Sequence, residues 1–372
     1  MKKLGFGLMR LPLLDPRNPK SIDIDHFKRM VDVFMERGFT YFDTAYTYHQ
    51  SKSEAAFRMA VQERFPRDRF TLTDKMPMWE VKQESDYERL FNVQLQRTGV
   101  EYFDYYWFHT LNKGYVDVLD RTNGWDFVLR KQKEGRVKNI GFSFHDDSPT
   151  LERILKEHPE MEYVQLQINY VDWDSPSIES ARCYELCEKY GRKVVVMEPV
   201  KGGSLAQIPS EVETIFKEHS PEASPASWAI RFAASLPNVV MVLSGMSELS
   251  QVEDNTSFMA DFRPLDEEEQ LVLARAAGMI KNSIAIPCTS CHYCTDGCPM
   301  NIAIPEYFAI YNSLKQFGKT SAFNSRFYFN RISEYRGKPS DCIECGQCEE
   351  HCPQHLPIIS NLKLVSGEYE KN

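Results

Sequence analysis

Short apolar runs rich in β-branched and aromatic residues recur along the first 280 positions, and longer stretches with a 3.6-residue apolar period separate them. The runs predict strands at 5–11, 39–45, 70–75, 103–110, 137–145, 163–169, 193–199 and 238–245. The stretches between predict helices such as 25–38, 53–65 and 85–99. Several of these close on glycine after a basic residue, as Arg37-Gly38 does, which suits a helix C-terminus. Near-continuous apolar strands, each followed by a helix, imply a parallel sheet covered on both faces. Eight such repeats in about 250 residues is the size of a (β/α)8 TIM barrel. A doubly wound open sheet fits less well, because no G-x-G-x-x-G opens any of the helices.

The pattern changes after residue 264. An acidic-start helix, 265–280, leads into IAIPCTSC, and the junction is expected there. The expected domains are a barrel over 1–280 and a small, mostly α-helical domain over 281–372, with aromatic-rich helical stretches at 304–318 and 323–337.

Composition narrows the function classes. The 372 residues are 42% hydrophobic and 12% aromatic, enough for a sizeable core. A net charge of −9 disfavours a nucleic-acid partner. The N-terminus has two lysines but no apolar h-region, and no stretch approaches a membrane-spanning helix, so no membrane association is expected. The expected location is the cytoplasm, where thiols stay reduced.

Eight of the ten cysteines fall into two copies of one pattern. Cys288, Cys291, Cys294 and Cys298-Pro299 form C-x2-C-x2-C-x3-C-P, and Cys342, Cys345, Cys348 and Cys352-Pro353 repeat it. This is the bacterial-type spacing for [4Fe–4S] ligation, in which the fourth cysteine of each run serves the other cluster. Two clusters are therefore expected, one on Cys288, Cys291, Cys294 and Cys352, the other on Cys342, Cys345, Cys348 and Cys298. Structural zinc prefers C-x2-C pairs split by a longer loop, and disulfides suit secreted chains. Cys183 and Cys187, four apart in a helical stretch, read as small buried residues.

At the C-terminal ends of the expected strands, where barrels of this kind place their chemistry, four polar residues stand out. Asp43 ends the second strand with Tyr48 following in DTAYTY, Lys75 ends the third, and His109 ends the fourth. Residues 1 to about 280 here resemble the aldo/keto reductases, (β/α)8 enzymes that use NADPH or NADH. The matches include IGFS at 140–143, Gln165, PVKGG after strand seven and SGMS…QVEDN after strand eight. The cysteine-rich tail resembles the dicluster ferredoxin module carried by one branch of that family.

The resemblance implies reduction of an aldehyde or ketone to an alcohol, or the reverse, with Tyr48 as proton donor. Lys75 would tune its pKa, Asp43 would compensate the lysine, and His109 would orient the substrate oxygen or supply an alternative proton. It further implies that Ser143 and Gln165 hold the nicotinamide carboxamide and that Gly202 and Gly203 admit the diphosphate. Gly245, Met246 and Ser247 would line the adenosine end, with Gln251 and Asn255 on the helix that follows. Trp79, with Asn112, Tyr46 and Tyr115, would face the substrate.

The chain departs from that pattern in three places. Phe144 and His145 follow the strand-five serine where asparagine is common. Strand seven ends in Glu198-Pro199 without the usual aromatic. Gln251 stands where an arginine commonly grips a 2′-phosphate, which leaves NADH open. The clusters could relay electrons to or from a redox partner such as a ferredoxin or flavodoxin, or serve as a structural or docking module beside a self-sufficient barrel. A barrel that has lost catalysis is disfavoured by the intact Asp43, Tyr48, Lys75 and His109.

Overall fold

Eight parallel strands close on themselves in chain order: β1 (Leu4–Gly7), β2 (Tyr41–Asp43), β3 (Thr71–Met76), β4 (Phe103–Leu111), β5 (Val137–Phe144), β6 (Tyr163–Gln167), β7 (Lys193–Met197) and β8 (Val239–Gly245). The structure is a computed structural model, and it describes residues 2–175, 178–317, 325–326, 328–330 and 332–370. Each expected strand is present; most are shorter than expected, while β3 and β4 each run one residue past the expected end. The expected strand 5–11 stops at Gly7 and turns into a 3-10 turn at Leu8–Arg10.

The helices of the first half are α1 (Ile24–Glu36), α2 (Ser53–Phe57), α3 (Glu84–Thr98), α4 (Lys113–Arg121), α5 (Gly124–Lys133), α6 (Ser148–Glu157) and α7 (Ser180–Lys189). Then come α8 (Ser210–His219), α9 (Pro225–Ser235), α10 (Leu249–Ala260), α11 (Glu267–Ser283) and α12 (Ile304–Phe317). The expected helix 53–65 is α-helical only to Phe57 and continues as a π turn over Arg58–Gln62, closed by Glu63 N–H donating to the Arg58 carbonyl. The expected seam at 280/281 lies inside α11.

Side chains on a strand alternate between faces. Tyr41, Trp107, Tyr163, Val195, Met241 and Leu243 therefore pack together in one buried layer inside the barrel. On the outer face, Phe42 of β2 meets Phe6 and the α1 residue Phe34 at ring-centroid distances of 6.1 and 5.5 Å. Two residues beyond the inner layer, on the same face, stand Asp43, His109 and Gln165, and Lys75 follows Thr73 in the same way. The apolar plug thus lifts a polar layer toward the C-terminal mouth.

Two compact units divide the chain. The first is Met1–Asp174, Glu179–Pro199 and Ala226–Asp266, and it holds all eight strands. The second is Ser175–Ile178, Val200–Pro225 and Glu267–Asn372. Its core gathers Ile286, Tyr307, Phe308, Tyr311, Phe329, Ile358, Leu362 and Val365 with Cys294, Cys348 and Cys352. The helix Ile358–Tyr369 and α12 flank this core. Within the expected helix 323–337, residues 325–326, 328–330 and 332–333 are helical, while 323–324, 327 and 331 lie outside the described residues. Among the described residues no helix is long and apolar enough to cross a membrane.

Candidate active site and cysteine pockets

Lys75 is the centre of the polar layer. Its ammonium, 1% exposed, donates to Asp43 Oδ1 at 2.5 Å, to the Thr44 carbonyl at 2.8 Å and to Tyr48 Oη at 3.5 Å. A buried ammonium is tolerable only with such partners. Burial pushes the Asp43 carboxyl up, while the Lys75 charge and hydrogen bonds from Lys75 and Gln165 hold it back. Tyr48 lies on the loop after β2 and is half-buried. Burial, then the charges of Asp43, Glu198 and Asp74, hold its phenol well above the ordinary range, with the Arg10 guanidinium pulling the other way.

His109 completes the group. Its ring lies 6.0 Å from that of Tyr48 and 5.1 Å from that of Trp79, centroid to centroid. Burial, then the Lys75 charge and that of His145, depress its pKa well below 6.5, so the imidazole is neutral. Its Nδ1 is buried without a partner. The strand breaks register just beyond, between Phe108 and Leu111, with Thr110 at φ +59°. A β-branched residue in the left-handed region is strained, and here its N–H is anchored on Ser143 Oγ at 2.7 Å. The irregularity aims His109 into the mouth.

Of the residues expected at the nucleotide, Ser143 and Gln165 are register partners on β5 and β6, both buried. Gln165 hydrogen-bonds Asp43, and its Oε1 is buried without a partner. An orphaned acceptor of this kind needs an external N–H, and a carboxamide supplies one, so this pair fits a nicotinamide.

At the end of β8, Met246 is fully buried, Asn255 donates to Ser244 Oγ at 3.0 Å, and Ser247 Oγ donates to the Arg10 carbonyl at 2.8 Å. Gln251 Oε1 accepts from the Ser247 N–H at 2.7 Å and forms the capping box of α10. Gly202 and Gly203, at φ +65° and +100°, belong to the second unit. There a Cβ on Gly202 would stand 2.0 Å from the Thr289 carbonyl oxygen, so the close approach that demands glycine is to the chain itself.

Trp79 is half-buried beside His109, and Tyr115 is half-buried on α4. The Asn112 side chain is spent on capping α4, accepting from the Tyr115 N–H at 3.0 Å. The Tyr46 ring lies 4.3 Å beneath the Arg97 guanidinium. Sequence reasoning missed Arg10, whose side chain lies against the Cβ side of Gly245 and stands 3.8 Å from Glu198 Oε1. Glu198 sits at φ +57° with Oε2 buried and unpartnered, and Asn169 Nδ2 donates to its carbonyl at 3.5 Å. The glutamate in place of an aromatic was the visible signal, but its partner lies on the opposite side of the barrel sequence.

In the second unit the cysteines line two pockets. Cys288, Cys291, Cys294 and Cys352 share one with Phe308 and Leu356. Cys298, Cys342, Cys345 and Cys348 share the other with Met300 and Ile343. Each takes three cysteines from one run and the fourth from the other, the arrangement expected for paired cubane clusters. Among the described residues no three Cys, His, Asp or Glu side chains converge on a single ion position. Burial pushes the Cys288, Cys294, Cys348 and Cys352 thiols up. Cys183 and Cys187 are buried in α7, where burial pushes the Cys183 thiol to about 12.

Known proteins resemble both parts. The model of the aldo/keto reductase family matches residues 3–273, and that of the 4Fe-4S dicluster domain matches 287–356. A solved aldo-keto reductase from Bacillus halodurans in its holo form is 20% identical, with a TM-score of 0.59 over 74% of this chain and 91% of that one. An aldo/keto reductase from Klebsiella pneumoniae in complex with NADP and acetate is 17% identical, with a TM-score of 0.57 over 73% and 90%. One from Brucella melitensis is 19% identical, with a TM-score of 0.56 over 73% and 94%.

Proposed function

The chain belongs to the aldo/keto reductase family and is an oxidoreductase whose barrel is followed in sequence by a 4Fe–4S dicluster domain, and from that premise we propose that it interconverts a small carbonyl compound and its alcohol with NAD(P)H, Tyr48 giving the proton. The observation that carries this reading is Lys75 Nζ set 2.5 Å from Asp43 and 3.5 Å from Tyr48 in the barrel mouth. The reduced nicotinamide, when bound, supplies the hydride. Negative charge then grows on the substrate oxygen, and Tyr48 hydrogen-bonds that oxygen and releases its proton to it. A phenol held high keeps its proton at any working pH. The fixed Lys75 charge lowers the cost of the phenolate as the proton leaves. His109, being neutral, is a hydrogen-bond donor that orients the carbonyl and a poor source of protons.

Ser143 and Gln165 hold the carboxamide, and Gly245, Met246, Ser247 and Asn255 border the adenosine end. Gln251 braces that loop as a cap. Arg10 lies beside Gly245 and 3.8 Å from Glu198 Oε1, which adds a cation to that border. With no lysine or arginine among Leu249, Ser250, Gln251 and Val252, a 2′-phosphate gains little there, so NADH is accepted alongside NADPH. NADP(H) is what the Klebsiella pneumoniae neighbours hold. Two [4Fe–4S] clusters, one per cysteine pocket, exchange single electrons with a small carrier such as a ferredoxin or flavodoxin in the cytoplasm.

A second reading is that the clusters serve as structural staples. It is favoured by the burial of Cys294, Cys348 and Cys352 in the hydrophobic core of their unit.

Tyr48→Phe tests the catalytic assignment. Carbonyl reduction should fall by about 10²–10⁴-fold while NADH binding, followed by fluorescence, is retained; unchanged turnover would remove Tyr48 from the mechanism. Visible spectra of anaerobically purified protein separate the two cluster readings. Bleaching on adding NADH or NADPH supports electron relay, and an unchanged spectrum supports the structural role.

A further inference from the structure

Tyr48 is followed by backbone that its own sequence disfavours. His49, Gln50 and Ser51 stand at φ +52°, +49° and +65°, and none is glycine. Left-handed residues with side chains ordinarily occur singly, so a run of three persists only where its surroundings over-determine it. Hydrogen bonds inside the loop are long. The Ser51 N–H donates to the Thr47 carbonyl at 3.3 Å, and the Lys52 and Ser53 N–H groups donate to the Tyr48 carbonyl at 3.2 Å.

The hold from outside comes from the segment between β1 and α1. The Leu11 N–H donates to His49 Nε2 at 3.0 Å, and His49 Nδ1 lies 2.9 Å from the Pro19 carbonyl oxygen. These partners fix the tautomer. Nε2 accepts an N–H and so carries no proton, which leaves the ring proton on Nδ1, donated to Pro19. Burial lowers the His49 pKa from 6.5, against the pull of the Pro19 carbonyl, in keeping with a neutral ring.

The segment offering these partners is itself braced. Leu13 and Ile22 form an antiparallel bridge. The Leu14 N–H donates to the Ser21 carbonyl at 2.7 Å, and the Asp23 N–H to that of Pro12 at 2.8 Å. A second tie lies further along the loop, where the buried Ser53 Oγ donates to the Leu8 carbonyl at 3.1 Å. Tyr48 Oη meets Lys75 Nζ at 3.5 Å, the far limit of a hydrogen bond, so a small backbone shift takes it out of reach.

We propose that His49 is a positioning residue, whose ring clamps the Tyr48 loop to Leu11 and Pro19 and so sets the phenol beside Lys75. This rests on the proton-donor reading of Tyr48 above. His49 acts through Tyr48, and its removal is felt in kcat.

The test is a double-mutant cycle in the full-length holoprotein, with NADH and 4-nitrobenzaldehyde as the carbonyl probe. His49→Leu should lower kcat by about 10–100-fold, while KM and the NADH affinity read by fluorescence stay near wild type. In a Tyr48→Phe background the same change should cost nothing further. His49→Gln, whose side-chain carbonyl can accept from the Leu11 N–H, should restore most of kcat. The proposal is overturned by an unmoved kcat in His49→Leu, by an equal loss in KM and NADH binding, by no recovery in His49→Gln, or by full additivity with Tyr48→Phe. Turnover by Tyr48→Phe at the wild-type rate would instead overturn the proton-donor reading, and this inference with it. Should His49→Leu not fold by circular dichroism, His49→Asn, which keeps a donor for Pro19 and gives up Leu11, takes its place under the same criteria. Nitrogen-15 resonance of histidine-labelled wild type reads the clamp without turnover: a proton on His49 Nδ1 is expected, and one on Nε2 shows that the clamp does not form.

Discussion

Replacing Lys75 by methionine would strand the Asp43 carboxylate, 3% exposed, without a cation. Breaking a buried pair in this way costs about 3–5 kcal/mol, so Lys75→Met should lower the urea midpoint sharply as well as abolish turnover. A variant that loses activity with an unmoved midpoint would show that Asp43 is balanced by something else.

Behind Lys75 lies a second buried pair with the opposite balance. Burial and then the Glu54 charge hold the Asp74 carboxyl well above 3.8, and burial also raises Glu54, against which Arg97 pulls at 2.8 Å. Glu54 Oε1 and Asp74 Oδ2 are both buried without a donor, so the two carboxyls share a proton. A carboxyl raised in the folded state contributes stability below its unfolded value of 3.8 and loses it as pH rises through the folded value. Stability should therefore decline with rising pH over that window. Asp74→Asn keeps the oxygen that accepts from Gln94 at 2.9 Å and removes the titration. Relative to wild type it should gain roughly 1–3 kcal/mol in urea melts as pH rises through that window, the cost of an unsatisfied buried polar group. Parallel pH profiles would rule out the shared proton.

The residue scale was only partly legible in the sequence. Asp43, Lys75 and His109 could be read as polar residues closing apolar runs, and Gln165 came only with the family resemblance. Arg10 with Glu198 could not, since closure of the barrel brings together residues far apart in the chain.

Among the elements, strand existence followed directly from the apolar runs, whereas their ends depended on tertiary packing. β1 stops early because Leu8–Arg10 turns away, and α2 passes into a π turn because Arg58 and Glu63 close a wider ring. Neither event leaves a periodicity to read. The turn at 201–203 was legible only as a glycine pair, and its fitted surface proved to be the Cys288 loop. Gly202→Ala would push a methyl to 2.0 Å from the Thr289 oxygen. The loop must then move, and the expected result is protein with fewer than its full complement of irons while the barrel strands persist by circular dichroism. Full iron occupancy in this variant would show that the loop yields at little cost.

For the molecule as a whole, each unit has its own core, and three of the eight paired-run cysteines belong to that of the second. Removing iron from the holoprotein with a chelator after oxidation should abolish one thermal transition and leave that of the strand-bearing unit. A single transition, lost altogether on iron removal, would mean that the units do not fold separately. The eightfold alternation and the doubled cysteine run announced both units from sequence. The allocation of 200–225 was hidden, because a loop in the middle of a barrel repeat carries no mark of belonging elsewhere.

That interleaving bears on how the chain is made. Synthesis runs from the N-terminus at about 5–20 residues per second, so 200–225 emerges from the ribosome before 267–372 exists to receive it. The strand-bearing unit has its last strand, β8, only after that loop has already passed. During synthesis the Lys201–Gly203 turn therefore waits seconds for the Cys288 loop it packs against in the full-length chain. Its closure on Cys288 is among the last events of biogenesis, after both cysteine runs have left the ribosome and iron delivery has become possible.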